Sequence, residues 1–506
     1  MRIIIKIIIA NENELHYCKP ATNEILPGGL RVIWSGRSLI GAVLLAGTSL
    51  AAPALAQTSN PPAAPPAQPD LWASVARSAN LLGDMGGIRT WLGQYGMTLS
   101  VTETSEVLGN LTGGMRQGFE YDGLTTATLQ LDTQRAFNWY GGLFDISALD
   151  IHGRNLSADN LLSLQTASGI EADRALRLWE LWYQQKFADG AVDVKIGQQS
   201  LDQEFIVSQN ALLFVNTMFG WPMVPSADLP GGGPAYPLSA PGVRFRAHPT
   251  NSLTFLAGVF NGSPSPNNNI PDSQVADPSG TSFPLNGGVL AIAELQYAYP
   301  ALGGMVAANE TKPLSGTYKL GMWYDSENFA DQRFDNTGLS LGSPFTTGVP
   351  AMHHGDYSIY AVVDQMLWQS SEDESRILSG FLRAMGTPQI DRNLIDFSLN
   401  AGLNLKDPLP GRPDDTFGVA IEFAHVSPRV AALDNDFTTL SGIYTPTQST
   451  ETVLEVTYQY QVTPWWQLQP DFQYVFNVGG GEANPNIPTQ KLRNEAVIGL
   501  RTNITF

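Results

Sequence analysis

The chain is poor in three features that would assign it to common protein classes. Cys18 is the only cysteine among 506 residues, so the chain can build neither a disulfide framework nor a thiolate metal site. No apolar run reaches the roughly 20 residues that a transmembrane helix needs. Basic residues number 28 against 47 acidic ones, and the formal charge of −19 argues against a nucleic-acid partner.

Candidate catalytic and metal-binding residues are also scarce. The chain has 6 histidines, and most of those after residue 57 fall in or near predicted turns. His353 and His354 are adjacent, so on a strand they would point to opposite faces and could not easily share a metal ion. The sequence shows no catalytic nucleophile placed beside a general base and no other motif of known mechanism. We expect no enzyme activity, no metal and no cofactor, with an outer-membrane enzyme as a less favoured alternative.

The first 96 residues divide by composition into four segments. Residues 1–30 fit no targeting signal and indicate a translation start placed too far upstream. Residues 31–56 have the basic start, apolar core and small-residue end of a secretory signal peptide. Residues 57–70 form a Pro/Ala-rich linker. Residues 71–96 predict short periplasmic helices interrupted by glycines, which would act either as a packed cap or as a plug of the pore.

From residue 97 to 506, apolar and polar residues alternate with a period of two. In one late stretch, Leu454, Val456 and Tyr458 alternate with Glu455 and Thr457, and successive side chains of a strand leave opposite faces. Strands of about 9–11 residues with one apolar face are what a bilayer-spanning barrel requires. The pattern predicts about 16 antiparallel strands, at residues 97–107, 123–135, 142–152, 175–187, 191–200, 241–248, 251–261, 288–299, 315–326, 355–368, 376–386, 393–406, 415–427, 451–463, 465–477 and 493–506.

The connections between these strands are short after most even-numbered strands and longer after most odd-numbered ones. Short periplasmic turns and long outer loops produce this alternation, and charged side chains are expected in the lumen because charge on the lipid face is costly. Two strands, 142–152 and 376–386, fit the two-face pattern poorly, and bulges are one explanation. The chain ends on a strand at Phe506, an ending that resembles outer-membrane barrels and implies recognition by the barrel-assembly machinery.

The longest internal connection spans residues 201–240. It mixes helical spacing and aromatic residues with a Gly/Pro run at 229–234. A barrel of this size leaves an aqueous channel unless something narrows it, and long loops in compact folds are usually functional. We expect this connection to fold inward as a constriction loop. The alternative is a loop that only covers the outer mouth.

The expected lumen face carries acidic and basic residues together. A phosphate-selective pore would need mostly basic residues, whereas a mixed wall with Trp and Gln suits neutral polyhydroxy solutes. Each of these charges could equally be a solvated group of any water-filled channel. The residues predicted to line the pore are Glu180, Trp182, Lys195, Asp202, Glu204, Phe205, Trp221, Arg244, Arg246, Glu294, Glu422 and Asp471.

Several motifs resemble those of the OprB family of carbohydrate-selective porins. They are LLGDMGGIRTWL at 81–92, ELWYQQ at 180–185, KIGQQ at 195–199, GVR at 242–244 and, most specifically, WWQLQPDFQY at 465–474. The resemblance covers residues from about 80 to 506 and implies a 16-stranded outer-membrane barrel for diffusion of glucose and related sugars. It also implies arginine and acidic groups at the narrowest point. The turn at 477–481 departs from the Asn-Pro-Gly-like turn of some members.

Together these features predict an all-β transmembrane barrel at 97–506 in the Gram-negative outer membrane, for passive and selective diffusion of sugars into the periplasm. Its expected partners are small sugars, outer-membrane lipid and the assembly machinery, while association of identical protomers stays open. A diffusion porin for general or other solutes is the first alternative. An energy-coupled transporter would have 22 strands and a plug, for which the segment before residue 97 is too short. A structural or adhesion role would call for a passenger domain.

Overall fold

The computed structural model describes residues 78–266, 270–300 and 313–506. Sixteen antiparallel strands close into one barrel, and the last strand pairs with the first. Closure pairs the backbone N–H and C=O groups of every strand on both sides, which matters because lipid offers no hydrogen-bonding partner. The predicted fold class is thereby confirmed. The predicted upstream extension, signal peptide and linker (1–30, 31–56 and 57–70) lie outside the described residues.

The strands follow one another around the barrel in chain order, apart from a small separate hairpin near the C-terminus. Each of the sixteen predicted strands overlaps one barrel strand, and β9 and β10 extend well beyond their predicted ends. The hairpin pairs β16 with β17. The strands are β1 (Met97–Thr112), β2 (Gly118–Asp132), β3 (Gly142–Gly153), β4 (Ala175–Phe187), β5 (Val192–Gln199), β6 (Ala240–Ala247), β7 (Leu253–Asn261), β8 (Val289–Tyr299), β9 (Gly316–Asp335), β10 (Pro350–Gln369), β11 (Ile377–Gly386), β12 (Ile395–Lys406), β13 (Thr416–Val426), β14 (Thr450–Thr463), β15 (Trp466–Phe476), β16 (Ala483–Asn484), β17 (Ile487–Lys491) and β18 (Glu495–Thr505).

Short helices occupy the connections between strands. Within the described residues, no helix is long and apolar enough to cross a membrane. The longest begins after Ser427, whose side chain accepts a hydrogen bond from the Arg429 amide as an N-cap. The α-helices are Ile88–Gln94, Thr133–Phe137, Thr217–Gly220, Met223–Asp228, Ser273–Ala276 and Pro428–Leu440, and the single-turn elements are Met85–Gly87, Ser157–Leu161, Ala188–Gly190, Leu201–Gln203, Ala211–Leu213, Pro230–Gly232 and Val478–Gly480.

Side chains alternate between the two faces of the barrel wall, as the two-residue repeat of a strand requires. The apolar members face outward: Leu403 on β12 and Ile421 on β13 are 50% and 42% exposed on the outer surface. The polar members face inward, where Glu455 on β14 and Asp193 on β5 are almost fully buried. The barrel therefore has an apolar outside and a polar inside.

The two strands that fit the two-face pattern poorly have apolar residues in their inward rows. On β11 the inward Phe381 packs in a buried cluster with Phe214 and Phe219, which belong to the connection between β5 and β6. The pairing of β11 with β12 keeps a regular register, so a bulge is not the cause there. On β3 the inward Leu149 likewise lies in an apolar cluster. The register of β3 against β4 does shift between Ser147 and Ala148, but the extra residue, Trp179, lies on β4. On these two strands the polar/apolar alternation is lost because inward apolar side chains pack in buried clusters.

A bulge does change the predicted facing of one acidic residue. The register of β12 against β13 shifts between Ile395 and Phe397. Asp396 consequently bonds at 2.5 Å to His425, which belongs to the outward row of β13, and Ile395 becomes completely buried. Asp396 therefore departs from the general expectation that charged side chains of the strands face the lumen, because the extra residue reverses the order of inward and outward side chains.

The long outer connections are tied to one another. Arg333 on the extended β9 donates hydrogen bonds of 2.7 and 2.9 Å to the two carboxylate oxygens of Asp436 in the helix Pro428–Leu440. Burial alone would raise the pKa of Asp436, but the hydrogen bonds from Arg333 and Ser340 hold that pKa below its ordinary value. A bidentate pair of this kind fixes the helix to the neighbouring strands at the outer mouth.

The two faces of the wall predict opposite responses to an added charge. Val456 lies in the outward row of β14, whereas Gln459 lies in the inward row and bonds Gln467. We expect Val456→Arg to lower the free energy of unfolding by about 2–4 kcal/mol, since the guanidinium must enter lipid. Gln459→Arg should cost less than half as much. Equilibrium unfolding in lipid vesicles tests this, and equal losses for the two variants would contradict the assigned faces.

Candidate functional site

The connection between β5 and β6, residues 200–239, folds into the barrel, and we call it the constriction loop. Five short helical turns shape it, and its backbone hydrogen-bonds side chains from β8, β10, β11 and β14. These strands lie on different sides of the barrel, so the loop crosses the lumen. The expectation of an inward-folded constriction loop is confirmed, and a simple cover over the mouth does not describe it.

Inward carboxylates of the wall accept hydrogen bonds from backbone amides of this loop. The Glu455 carboxylate accepts from the amides of Val215 and Asn216 at 2.6 and 3.1 Å. The Glu294 carboxylate accepts from the Ile206 amide at 2.9 Å. A buried loop leaves amides without strand partners, and each would be costly if unsatisfied. The predicted pore residue Glu294 therefore anchors the loop instead of presenting its carboxylate to the channel.

A further wall carboxylate, that of Asp364 on β10, accepts hydrogen bonds from three successive residues of the loop. It accepts from the Ser208 hydroxyl at 2.6 Å and from the amides of Gln209 and Asn210 at 3.1 Å each. Charge-assisted bonds of this kind are roughly twice as strong as neutral ones. Asp364 therefore fixes the loop to β10, four strands around the wall from β6.

The cationic counterpart of these anchors is Arg383 on β11, which is 1% exposed. Its guanidinium donates to the carbonyls of Ile206, Phe219 and Gly220 at 3.1, 3.0 and 3.2 Å, and also to the carbonyl of Met218. One side chain thus holds two turns of the loop together. No lumen assignment follows from the sequence for this residue, because its inward neighbours on β11 are apolar.

Two aromatic residues expected at the pore surface are instead buried between loop and wall. Phe205 and Trp221 are 2% and 6% exposed and lie in one apolar cluster with Trp323 and Tyr360 of the wall. The Trp221 indole N–H donates to the Gly232 carbonyl at 2.9 Å. The expectation that these rings contact the solute is not supported, because the loop uses them to pack against β9 and β10.

Five charged residues converge where the constriction loop meets β5 and β6, and we call them the ion-pair cluster. The Arg244 guanidinium pairs with Asp193 and also with Glu204, at 2.8 Å. Arg246 pairs with the second oxygen of Asp193 at 2.8 Å, and Lys195 pairs with Glu204. The ladder of β5 with β6 sets this arrangement, because it places Asp193 opposite Arg246 and Lys195 opposite Arg244.

Exposure divides the ion-pair cluster into a buried layer and an accessible one. The side chains of Arg244, Asp193 and Lys195 are only 1%, 2% and 8% exposed. Those of Arg246 and Glu204 are 30% and 17% exposed. Only this second pair can offer charged donors and acceptors to a molecule in the channel. The three buried residues hold Arg246 and Glu204 in place, since Asp193 bonds Arg246 and both Arg244 and Lys195 bond Glu204.

The remaining predicted residues fall into three groups. Trp182 lies behind the cluster, with the Lys195 ammonium 4.4 Å from its ring centroid, so a cation–π contact occupies that face. Glu180 and Asp202 fix the start of the loop, since both accept bonds from Ser200, at 3.0 and 2.6 Å.

On β13 and β15, Glu422 is completely buried and Asp471 bonds Gln473. The structure does not bring these two, or Glu294, into the ion-pair cluster.

Residues 116–506 match the model of the family described as carbohydrate-selective porin, OprB family. The chain belongs to the OprB family. It is 26% identical over 455 residues to Porin B of Pseudomonas aeruginosa, which covers 84% of this chain and 91% of that protein. The protein is a porin of the Gram-negative outer membrane for carbohydrates.

Two other relatives extend this comparison. The putative porin QuiX of Acinetobacter baylyi is 23% identical over 433 residues, covering 79% of this OprB-family chain and 89% of that protein. A structure of OprB from Pseudomonas putida at high pH superposes with a TM-score of 0.72 and 24% identity, covering 85% of this chain and 99% of that one. That structure has the same fold as the OprB-family barrel described above.

Removing the Arg383 anchor from this OprB-family porin should widen the channel. The Glu422 carboxylate acts electrostatically on Arg383, so we would change both, as Arg383→Met/Glu422→Gln, to avoid leaving one buried charge alone. The four loop carbonyls then lose their donor, and we expect a larger single-channel conductance in planar bilayers.

The matched control is Arg376→Met, which removes an arginine at the short-turn end of the barrel that bonds only the Asp407 carbonyl and carboxylate. This control should conduct like the parent. An unchanged conductance in the double variant would show that the other anchors suffice to hold the loop.

Proposed function

We propose that sugars cross this porin along the accessible layer of the ion-pair cluster, with Arg246 and Glu204 as the groups that bind them. Guanidinium and carboxylate groups form directional bonds to hydroxyls and are stronger partners than neutral groups. The observation that carries the proposal is the burial pattern: Arg244, Asp193 and Lys195 are hidden, while Arg246 and Glu204 stay accessible beside them. An exposed pair held by buried ones keeps its geometry as solutes pass.

The charge of the cluster favours neutral solutes. It contains three bases and two acids, and every member is paired within it. Such pairing leaves little net field to attract anions or cations into the narrow part of the channel. Donors and acceptors stand side by side, which suits a ring carrying several hydroxyls. A phosphate-selective pore would need an excess of unpaired basic residues at the same place.

Transport along this path is passive. A sugar gives up part of its water, exchanges hydroxyl contacts with Arg246 and Glu204, and leaves toward the periplasm down its gradient. The site must bind weakly, because a site that holds its solute too well stops conducting. The pairing supports weak binding, since each sugar hydroxyl competes with an existing ion pair for the same donor or acceptor.

Arg246 provides the direct test. We expect Arg246→Ala to weaken the block of ion current by glucose about tenfold, the effect of losing one hydrogen bond to a charged group. Arg246→Lys should give an intermediate loss, because it keeps the charge without the planar fork. Arg135→Ala is the control, since Arg135 lies in the turn after β2 and bonds the Gly93 carbonyl. Planar-bilayer recordings measure the block, and equal block in parent and Arg246→Ala would remove Arg246 from the path.

Arg244 should behave differently from Arg246. Its guanidinium is 1% exposed and bonds Gln184 as well as the acids of the cluster. Arg244→Ala leaves the buried Asp193 with one partner fewer, so we expect a loss of about 3–5 kcal/mol in unfolding free energy. Arg246→Ala should change stability by about 1 kcal/mol or less. Equal stability losses in denaturant unfolding would contradict the division into buried and accessible layers.

A porin for general or other solutes is the second candidate, and it makes a different prediction about permeation. Liposome-swelling rates should rank glucose above neutral amino acids of similar size if Arg246 and Glu204 select hydroxyls. Rates that follow solute size alone, for sugars, amino acids and anions alike, would favour a general diffusion channel. Glu204→Gln supplies the internal check, since it should reduce the preference for sugars while leaving the lumen volume unchanged.

A further inference from the structure

The lumen opens again on the periplasmic side of the constriction loop, toward the short turns of the barrel. On β14 the inward Glu455, which bonds the loop, is 0% exposed, whereas Gln459 of the same row is half-buried. On β15 the inward Gln469 is 1% exposed and donates to the Leu213 carbonyl of the loop, whereas Gln467, nearer the turn, is half-buried. The loop therefore ends between these positions, and the wall below it is accessible to solutes.

This accessible part of the wall carries amides and hydroxyls on five neighbouring strands. Thr416 on β13 is the register partner of Gln459 on β14. Gln467 on β15 pairs with Asn503 on β18, which pairs in turn with Thr104 on β1. All five side chains belong to inward rows and are half-buried. We call these five residues the amide–hydroxyl band, and none of them carries a charge.

The amide–hydroxyl band is only partly bonded within itself. The Gln459 side-chain amide donates to Gln467 at 3.3 Å, and the Thr104 hydroxyl donates to Asn503 at 2.8 Å. These bonds orient the side chains. In the part of the chain that the structure describes, the Thr416 hydroxyl and the side-chain carbonyl of Gln459 have no hydrogen-bond partner. The band therefore has donors and acceptors left for a solute.

A polar pocket of about 670 Å³ adjoins the band at the periplasmic mouth. Its volume falls within the range of about 300–1,000 Å³ that small-molecule sites occupy. The turns that follow β12 and β14 form part of its wall, and the polar residues that line it include Lys406, Asp414, Thr416, Gln459, Gln461 and Gln467. The unpartnered groups of the band thus face a space large enough for a small solute.

The periplasmic ends of other strands show that a wet wall does not require this composition. On β4, β5 and β6 the inward rows end in Lys186, Asp193 and Arg246, which are all charged. A water-filled lumen accepts charged and neutral polar groups alike. An uncharged row across five neighbouring strands therefore points to a surface for neutral hydrogen bonds.

We propose that the amide–hydroxyl band is a second binding site for neutral polyhydroxy solutes, separate from the ion-pair cluster. The inference rests on the proposed function, in which sugars cross this porin. A sugar hydroxyl both donates and accepts hydrogen bonds, and so do the amides and hydroxyls of the band. β14 lies eight strands from β6 in a ring of sixteen, so one sugar does not contact both sites. Neutral hydrogen bonds are weaker than charge-assisted ones, so a sugar leaves the band readily, as conduction requires.

The first test adds substitutions to the Arg246→Ala variant, because the weaker site then accounts for most of the binding that remains. Thr416→Val/Gln459→Met removes one hydroxyl and one amide and nearly keeps the side-chain volumes. We expect the residual block of ion current by glucose to weaken about fivefold further, the effect of losing one neutral hydrogen bond. The control, Thr489→Val/Gln490→Met, makes the same two changes on the exposed β17 and should leave the residual block as it is.

The outcomes separate the band from the proposed function. No further loss of block in Arg246→Ala/Thr416→Val/Gln459→Met, or an equal loss in the control, would overturn the band while leaving Arg246 in the sugar path. If Arg246→Ala alone leaves the block unchanged, the proposed function fails, and Thr416→Val/Gln459→Met in the parent then tests the band. A block about fivefold weaker in that variant supports the site, and an unchanged block rules it out.

Protection of a thiol measures occupancy of the band without relying on conductance. Because Cys18 is the only cysteine, Thr416→Cys in a Cys18→Ser background places one thiol beside Gln459. Glucose should slow its modification by a small methanethiosulfonate reagent, with an effect that saturates as the site fills, whereas alanine at the same concentration should not. Thr489→Cys on β17 is the control and should react at one rate throughout. Equal rates at Thr416→Cys with and without glucose, or equal slowing by glucose and alanine, would overturn the proposal.

Discussion

The architecture of this porin depends on one constraint, that a loop folded into a barrel must find hydrogen-bond partners for its buried backbone. The constriction loop has little regular structure, so most of its amides and carbonyls cannot bond one another. The wall supplies partners from three strands: Asp364 on β10 and Glu455 on β14 accept from loop amides, and Arg383 on β11 donates to loop carbonyls. These charges would be costly in the interior if unpaired, and they are stable there because the loop is present. The loop backbone and the charged wall residues therefore depend on each other for their hydrogen-bond partners.

The same constraint explains which parts of the molecule could be predicted from the sequence. Strand number, strand positions and the facing of residues such as Lys195 and Arg244 follow from the two-residue repeat, because lipid selects apolar side chains wherever it touches the wall. The inward face is under no such uniform selection. Water there favours polar residues, whereas the loop both packs on apolar residues such as Phe381 and bonds charged ones such as Glu455. The periodicity signal therefore failed on β3 and β11, and with it the assignment of Arg383.

Only part of the candidate site could be predicted from the sequence, for a related reason. Residue type indicates that a side chain can bind a sugar hydroxyl, but a carboxylate that binds a sugar and one that binds a loop amide are the same residue. Glu204 and Glu294 look alike in sequence, yet the first is accessible beside Arg246 and the second accepts from the Ile206 amide. Only the position of the loop separates the two roles. The same ambiguity affects Phe205 and Trp221. An aromatic residue can stack on a sugar or pack a loop against the wall, and the sequence alone does not separate these two roles.

The long sequence distance between the loop and its anchors has a consequence for the order of assembly. Val215 precedes its acceptor Glu455 by 240 residues, and Arg383 lies 177 residues after Ile206. Until β14 and its neighbours have joined the sheet, the middle of the loop has no acceptors and cannot hold its final course. Closure of the cylinder must therefore come before the narrowing of its bore, and a barrel caught between these two events would be a wide and unselective hole in the membrane.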